Sequence, residues 1–328
     1  MTCKIIGAPL PGMPWQDKPA DCQDPVWRYT GNPVIGRNRL QCADRVFNSA
    51  LIPYDNGFIG IFRADHKRGF PNLHLGRSRN GIDWDLDEGV LHFVNEDGTD
   101  TVPIDYGYDP RLVQIDDTYY ITWCNNFIGP TIGLAKTKDF KSFIKMEDAF
   151  LPYNRNGVLF PKKINDRYMM LSRPSDNRHT AFGDIFLSES PDLMYWGRHR
   201  HVMSPATNWW KGTKIGAGPV PIETTEGWLM IYHGVCDTCN GFVYSMGVAL
   251  LDLDTPSKVI ADASDYILAP RMPYEETGYV PNVCFPCASV QDSVSGRIAI
   301  FYGAADTYCA IAFTTANDLV NFIRTHPM

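Results

Sequence analysis

Apolar and polar positions alternate along most of the chain from Phe47 onward, in paired runs separated by short polar turns. The first pair is Phe47 to Tyr54 and Phe58 to Arg63, joined by Asp55-Asn56-Gly57. A period of two marks an extended strand, and Asn-Gly between two such runs marks a hairpin, because the turn needs residues that tolerate positive φ. The same plan recurs around Ile115-Asp116-Asp117, Ile164-Asn165-Asp166, Glu223 to Gly227 and Gln291 to Gly296, which makes five hairpins. Each is followed by a short strand, a polar turn, and an aromatic or apolar residue six positions after a small or polar one. Examples are Ser78 to Trp84, Thr137 to Phe143 and Ser190 to Trp196, with weaker copies from Asp254 to Ile260 and Ala316 to Phe322.

These copies return roughly every 60 residues, the length of a four-stranded sheet with its loops. Repeats of this kind cannot bury both sheet faces alone and stack radially, which removes long exposed edges. The pattern therefore predicts an all-β, five-bladed β-propeller over residues 46–328. Residues 1–45, rich in Pro and polar residues and anchored by Trp15, Trp27 and Tyr29, read as an N-terminal arm on the body. Within the arm, Asn32-Pro33-Val34-Ile35-Gly36 reads as a short edge strand. Long helical patterns are nearly absent, which disfavours a barrel of alternating strands and helices. A two-sheet sandwich with a second domain is the competing architecture.

The 328 residues are 44% hydrophobic, enough for a large core. A net charge of -7 with no long Lys/Arg run argues against nucleic acid or an anionic membrane as partner. Pro9, Pro11 and Pro14 break up the first 19 residues, so neither a signal peptide nor a membrane span is read there, and the mature chain is expected to begin near Met1. Nine cysteines in apolar settings such as Thr122-Trp123-Cys124 suit reduced thiols in the cytoplasm. Cys236-Asp237-Thr238-Cys239 and Cys284-Phe285-Pro286-Cys287 have the form of a four-cysteine zinc site. The second pair lies in a strand, however, where residues three apart project to opposite faces, so buried structural thiols are expected and no metal is assigned.

In a propeller the innermost strands surround one channel and their ends meet at one mouth. The candidates at equivalent hairpin positions are Asn48, Arg63, Asp109, Arg155, Arg173, Lys214, His233 and Asp306. Asp109 sits between aromatic rings in Tyr106-Gly107-Tyr108-Asp109-Pro110-Arg111, and Pro110 biases it toward an extended or turn backbone. It is read as the proton donor, against the alternative of a turn aspartate bonding its own backbone. Singly, the cationic residues would be salt-bridged edges; together, in an acidic protein, they imply an anion. Cleavage of a glycoside by water normally takes two carboxylates. Phosphate is already anionic and needs only positioning by Arg forks and Lys, so one acid with a basic cluster is the mark of a phosphorylase.

The motifs carrying these residues resemble glycoside hydrolase family 130, the β-mannoside phosphorylases. They are Phe47-Asn48-Ser49-Ala50, the Tyr106 to Arg111 stretch, Asn154 to Pro161, Leu171 to Asn177, Thr213 to Pro219, Tyr232-His233-Gly234, Pro281 to Pro286 and Tyr302 to Thr307. The similar branch is that of gut-bacterial enzymes acting on β-1,4-mannosyl-N-acetylglucosamine and mannooligosaccharides. The resemblance implies a five-bladed propeller, inorganic phosphate as co-substrate with no cofactor or metal, and α-D-mannose 1-phosphate as product. It implies that Asp109 protonates the glycosidic oxygen through the 3-hydroxyl of the mannosyl unit. Arg155, Arg173, Lys214, His233 and Tyr244 would bind phosphate. Asn48, Arg63 and Asp306 would hold the mannosyl ring, and Tyr108, His179 and Phe285 would face the acceptor. It further suggests a homo-oligomer built through the aromatic arm.

Residues Asp65 to Pro71, Val94 to Ile104 and Pro205 to Lys211 match no motif and are expected to shape the acceptor end. An inverting hydrolase would need a second carboxylate near Asp109, and Asp65, Asp105 and Asp306 are the candidates. A lectin-like propeller would carry near-identical aromatic pockets in every blade, whereas the polar residues at the five mouths here all differ.

Overall fold

In the computed structural model, described over residues 2–103, 106–126, 129–175, 183–207 and 209–328, five antiparallel sheets follow one another as blades. Blade 1 comprises Ala43–Tyr54, Gly57–His66, Pro71–Ser78 and Asp85–Val90. Blade 2 comprises Tyr108–Ile115, Thr118–Asn125, Thr131–Thr137 and Phe143–Lys145, with Phe93–Val94 added in parallel at its outer edge. Blade 3 is Asn154–Leu159, Tyr168–Pro174, Ile185–Ser190 and Gly197–Met203. In blade 4, Lys214–Ala217 and Ile222–Thr224 share the inner edge of Gly227–Thr238, followed by Gly241–Leu251 and Val259–Asp262. Blade 5 is Cys284–Gln291, Arg297–Ala304 and Tyr308–Thr315, completed by Trp27–Arg28 from the N-terminal region.

All five sequence-read hairpins are present at the inner two strands of the blades. Alternation along these strands sends successive side chains to different neighbours. Ile59 and Ile61 pack with Leu112 and Ile121 of blade 2, while Phe58 and Phe62 pack with Phe301 and Ile311 of blade 5. Further clusters join blades 2 and 3, 3 and 4, and 4 and 5, so the core is a ring of interfaces rather than one centre.

The six-residue spacing has a hydrogen-bonding cause. Ser78 Oγ accepts from the Gly81 amide at 2.8 Å, Thr137 Oγ1 from Phe140 at 3.0 Å and Ser190 Oγ from Leu193 at 2.7 Å. The indole N–H groups of Trp84 and Trp196 then donate back to the carbonyls of Gly81 and Leu193. The hydroxyl closes the turn and the aromatic ring locks it against the next strand.

The fifth copy differs. Ala316 to Phe322 lies in a helix, Ala316–Thr325, whose Ala316, Leu319, Val320 and Ile323 are buried at helical spacing and whose N-terminus is capped by Thr315 Oγ1 accepting from Asp318 at 3.0 Å. The outer strand expected there is supplied by Trp27–Arg28 instead, paired with Phe313 and Ala312. Ile35 makes one antiparallel bridge to Cys309 and no longer strand. All nine cysteines are unpaired thiols; Cys284 and Cys287 lie buried in a strand, and Cys239 is exposed at a hairpin. No helix among the described residues is long and apolar enough to cross a membrane.

Candidate active site

Where the innermost strands of blades 1, 2 and 3 reach the channel mouth, each has a register shift, and each shift holds a residue with positive φ: Asn48 at 49°, Asp109 at 51° and Asn156 at 54°. Of the two backbones read from the following proline, extended or turn, Asp109 takes the second kind, left-handed within a bulge. A bulge turns one side chain out of the alternation and re-aims it, and a short polar residue is the type that tolerates this backbone. The three side chains enter one cavity of about 470 Å³.

That cavity is lined by Asn48, Arg63, Tyr108, Asp109, Arg155, Arg173, Lys214, His233, Tyr244, Phe285 and Asp306, drawn from all five blades. These are all the sequence-read candidates except His179, which lies outside the described residues. Asn156, Ser175 and Phe242 also line it and were not singled out, although Asn156 and Ser175 stand within quoted motifs. Of the carboxylates proposed for a hydrolase, Asp306 lines the cavity, Asp105 lies outside the described residues, and Asp65 is held by Arg45 and Arg63.

Two electrical halves make up the site. On one side, Asp109 Oδ1 accepts from Asn48 Nδ2 at 2.7 Å and from Arg63 Nη1 at 3.0 Å, and Oδ2 has no partner among the described residues. Arg63 is fixed in turn by Asp65 at 2.9 Å and lies over the Phe47 ring at 4.2 Å. Burial alone would lower its guanidinium, but the charges of Asp109, Asp65 and Asp306 outweigh it, so Arg63 stays firmly cationic. Burial, opposed by Arg63 and reinforced by Asp109, pushes the Asp306 carboxyl up to about 6.

On the other side Arg155 and Arg173 are direct partners across neighbouring strands, with Lys214 close enough to repel both. Like charges facing each other across a sheet are destabilising unless something anionic lies between them. None of the three has a carboxylate partner among the described residues. Arg155 donates to the Tyr108 hydroxyl at 3.3 Å and to Ser175 Oγ. Arg173 Nη1 meets His233 Nε2 at 3.0 Å while its Nε is buried without a partner. Burial, then the charges of Arg173, Arg111 and Lys214, holds His233 far below its ordinary value and therefore neutral. A guanidinium only donates, so His233 accepts through Nε2 and carries its hydrogen on Nδ1. Burial, with Arg173 and Arg155 adding repulsion, pushes Lys214 down to about 8. Its ammonium rests over the rings of Phe242 and Tyr244, at 4.5 and 5.4 Å. Gly216 is required here, since a Cβ would lie 2.8 Å from His233 Nε2 and 3.1 Å from Arg173 Nη1.

A half-buried carboxylate with one oxygen unpartnered among the described residues, opposite a cationic nest lacking its own anion, is a site for acid-assisted transfer to an anionic nucleophile. The family profile described as β-1,4-mannooligosaccharide phosphorylase matches residues 10–325. The chain belongs to glycoside hydrolase family 130. A β-1,4-mannooligosaccharide phosphorylase of Ruminococcus albus is 53% identical over 328 residues, covering 98% of each chain. A 1,2-β-oligomannan phosphorylase of Thermoanaerobacter sp. is 34% identical, over 84% of this chain and 91% of its own. Among solved structures, the β-1,2-mannobiose phosphorylase of Listeria innocua, in complex with β-1,2-mannobiose, superposes with a TM-score of 0.81 at 27% identity. That match covers 92% of this chain and 99% of the other. Membership in this family agrees with the five-bladed ring, and the protein is a glycoside phosphorylase.

Proposed function

We propose that this protein catalyses inverting phosphorolysis of β-1,4-linked mannosides, moving the terminal mannosyl unit to inorganic phosphate and releasing α-D-mannose 1-phosphate and the shortened acceptor. The observation that carries the phosphate assignment is the unneutralised triad of Arg155, Arg173 and Lys214, with two arginines in direct cross-strand register. Phosphate between them replaces mutual repulsion with charge-assisted hydrogen bonds, and Arg forks match its geometry. The neutral His233 orients Arg173, and the Tyr244 ring backs Lys214.

In the proposed cycle a phosphate oxygen forms the new bond to the anomeric carbon on the face opposite the departing oxygen, which inverts the centre. The glycosidic C–O bond breaks, and its oxygen takes a proton from Asp109 relayed through the sugar 3-hydroxyl. Over the whole cycle that proton is replaced from hydrogen phosphate. Asn48 and Arg63 hold the Asp109 carboxyl in place, Asp306 and Arg63 bind mannosyl hydroxyls, and Tyr108 and Phe285 support the acceptor. The identity to the Ruminococcus albus enzyme supports mannooligosaccharides with β-1,4 links as the substrate class. The reacting centre needs no cofactor in this scheme, because phosphate brings the negative charge and the protein supplies the positive. The same reading places the enzyme in the cytoplasm, with copies associating through the N-terminal arm.

The test is the initial rate on β-1,4-mannobiose and mannosyl-N-acetylglucosamine, with and without phosphate. Mannose 1-phosphate formation that requires phosphate is expected. Free mannose released at a rate indifferent to phosphate would overturn the assignment.

A further inference from the structure

Outside the cavity, at the rim of blade 1, three ligand-type side chains converge. Cys42 immediately precedes the innermost strand, His66 ends the second and His74 lies in the third, so sheet register gathers residues that are 24 and 8 positions apart in sequence. Cys42 Sγ is 3.7 Å from His66 Nε2, which is 2.8 Å from His74 Nε2, and one donor atom from each residue lies within 4.8 Å of the others. His74 is fully buried, and its Nδ1 lies 3.0 Å from the carbonyl of Asp87. A carbonyl only accepts, so Nδ1 carries the hydrogen and Nε2 presents a bare lone pair toward His66 and Cys42. An imidazole fixed by a backbone carbonyl behind it is how metal-bound histidines are oriented. Burial also keeps both imidazoles neutral, the form that binds a metal.

We propose that Cys42, His66 and His74 bind one zinc-class divalent cation, with water in the fourth tetrahedral position. One thiolate and two imidazoles form a donor set of borderline softness that suits zinc. Metal–nitrogen bonds of about 2.0 Å and metal–sulfur bonds of about 2.3 Å place tetrahedral nitrogen and sulfur roughly 3.6 Å apart. The Cys42–His66 separation already has that value, and the two imidazoles need to part by about half an ångström as the ion replaces the proton between them. The Glu88 carboxylate, which accepts from the Gln41 amide at 3.1 Å, adds negative charge near the thiol. The thiolate offsets part of the ion's charge, and binding releases the Cys42 proton. The ion is structural: it pins His66, the residue after Asp65, and Asp65 fixes the Arg63 that holds Asp109. The acid half of the site is thus anchored from outside the cavity.

The experiment is titration of chelator-treated full-length enzyme with zinc by calorimetry, alongside cobalt(II) as a spectroscopic probe. One ion per chain, a near-ultraviolet thiolate-to-cobalt band and a higher melting temperature with zinc are expected. Cys42→Ser should abolish the band and weaken zinc binding at least tenfold, and His66→Gln should weaken binding similarly. Both alter partly exposed side chains, so the result does not hang on the buried His74. Cys239→Ser, at an exposed hairpin, should change nothing. Absence of a one-to-one site, or binding unaltered in Cys42→Ser, would overturn the proposal.

Discussion

Gly303, in the second strand of blade 5, lies against the Asn48 side chain of blade 1 so closely that a Cβ on it would overlap Oδ1 and stand 3.0 Å from Cγ. Asn48 in turn donates to Asp109 at 2.7 Å, so a glycine one blade away sets where the carboxylate sits. Displacing a positioning contact by about 1 Å can cost 10²-fold in rate. Gly303→Ala is therefore expected to lower kcat by about 10- to 100-fold while circular dichroism stays native. Combined with Asn48→Ala it should be no worse than the poorer single variant. Additive losses in that double-mutant cycle would separate the two residues.

Asp109→Asn should keep the fold and lose turnover, because an amide delivers no proton and general acid catalysis contributes roughly 10²- to 10⁴-fold. Near-normal kcat in the purified variant would remove Asp109 from the chemistry.

The cationic half should be read through phosphate. Arg155→Ala and Lys214→Ala each remove a charge-assisted bond of about 1.5–3 kcal/mol, which raises the phosphate KM roughly tenfold or more with a smaller effect on mannoside binding. Arg173→Lys should also be impaired, since a point charge does not reproduce a planar fork. Initial rates against phosphate concentration check all three.

pH adds a second signature. Lys214, lowered to about 8, is charged below that value and neutral above it, so kcat/KM for phosphate should fall as pH rises through about 8 in the parent. Lys214→Arg should shift that limb upward or remove it. Asp306, raised to about 6, loses its negative charge as pH falls through that value, so mannoside affinity should weaken on the acid side. A pH profile measured at saturating phosphate isolates the acid limb.

Arg28 and Glu275 tie the N-terminal strand to the ring. Glu275 is fully buried, accepts from Arg28 at 2.7 and 2.8 Å and from Tyr302 at 2.7 Å. Burial raises its carboxyl, but the hydrogen bonds and charge of Arg28 outweigh that and leave it below its ordinary value. A depressed carboxyl contributes stability above its unfolded pKa, and that contribution is lost as pH falls through the folded one. Arg28→Ala strands a buried carboxylate and should cost about 3–5 kcal/mol in denaturant unfolding.

The ring and its mouth were legible because hairpin turns and the Ser-to-Trp spacing are local hydrogen-bonding patterns, visible in any window of ten residues. Asp109, Arg155, Arg173 and Lys214 could be read because they stand at repeated positions. The helix at Ala316 was missed because its apolar spacing mimics the six-residue step, and because nothing local reveals that Trp27–Arg28 fills the vacant edge. The left-handed backbone at Asp109 was hidden by the bulge, whose cause is pairing with Cys124 and Thr122 rather than Pro110. Gly216 and Gly303 act only through residues from other strands or other blades. Cys42, His66 and His74 meet through sheet register alone, which no spacing rule encodes.

The strand Trp27–Arg28 also orders events in time. It leaves the ribosome before any blade, yet its partner is Tyr308–Thr315, and contacts such as Asn32 to Ile311 join residues 279 apart. Blades 1 to 4 have their own strands and can form as they emerge, while the first strand waits unpaired until the last blade is synthesised. Closing the circle thus has to follow synthesis of the last blade, which also brings Phe285 and Asp306 to the cavity.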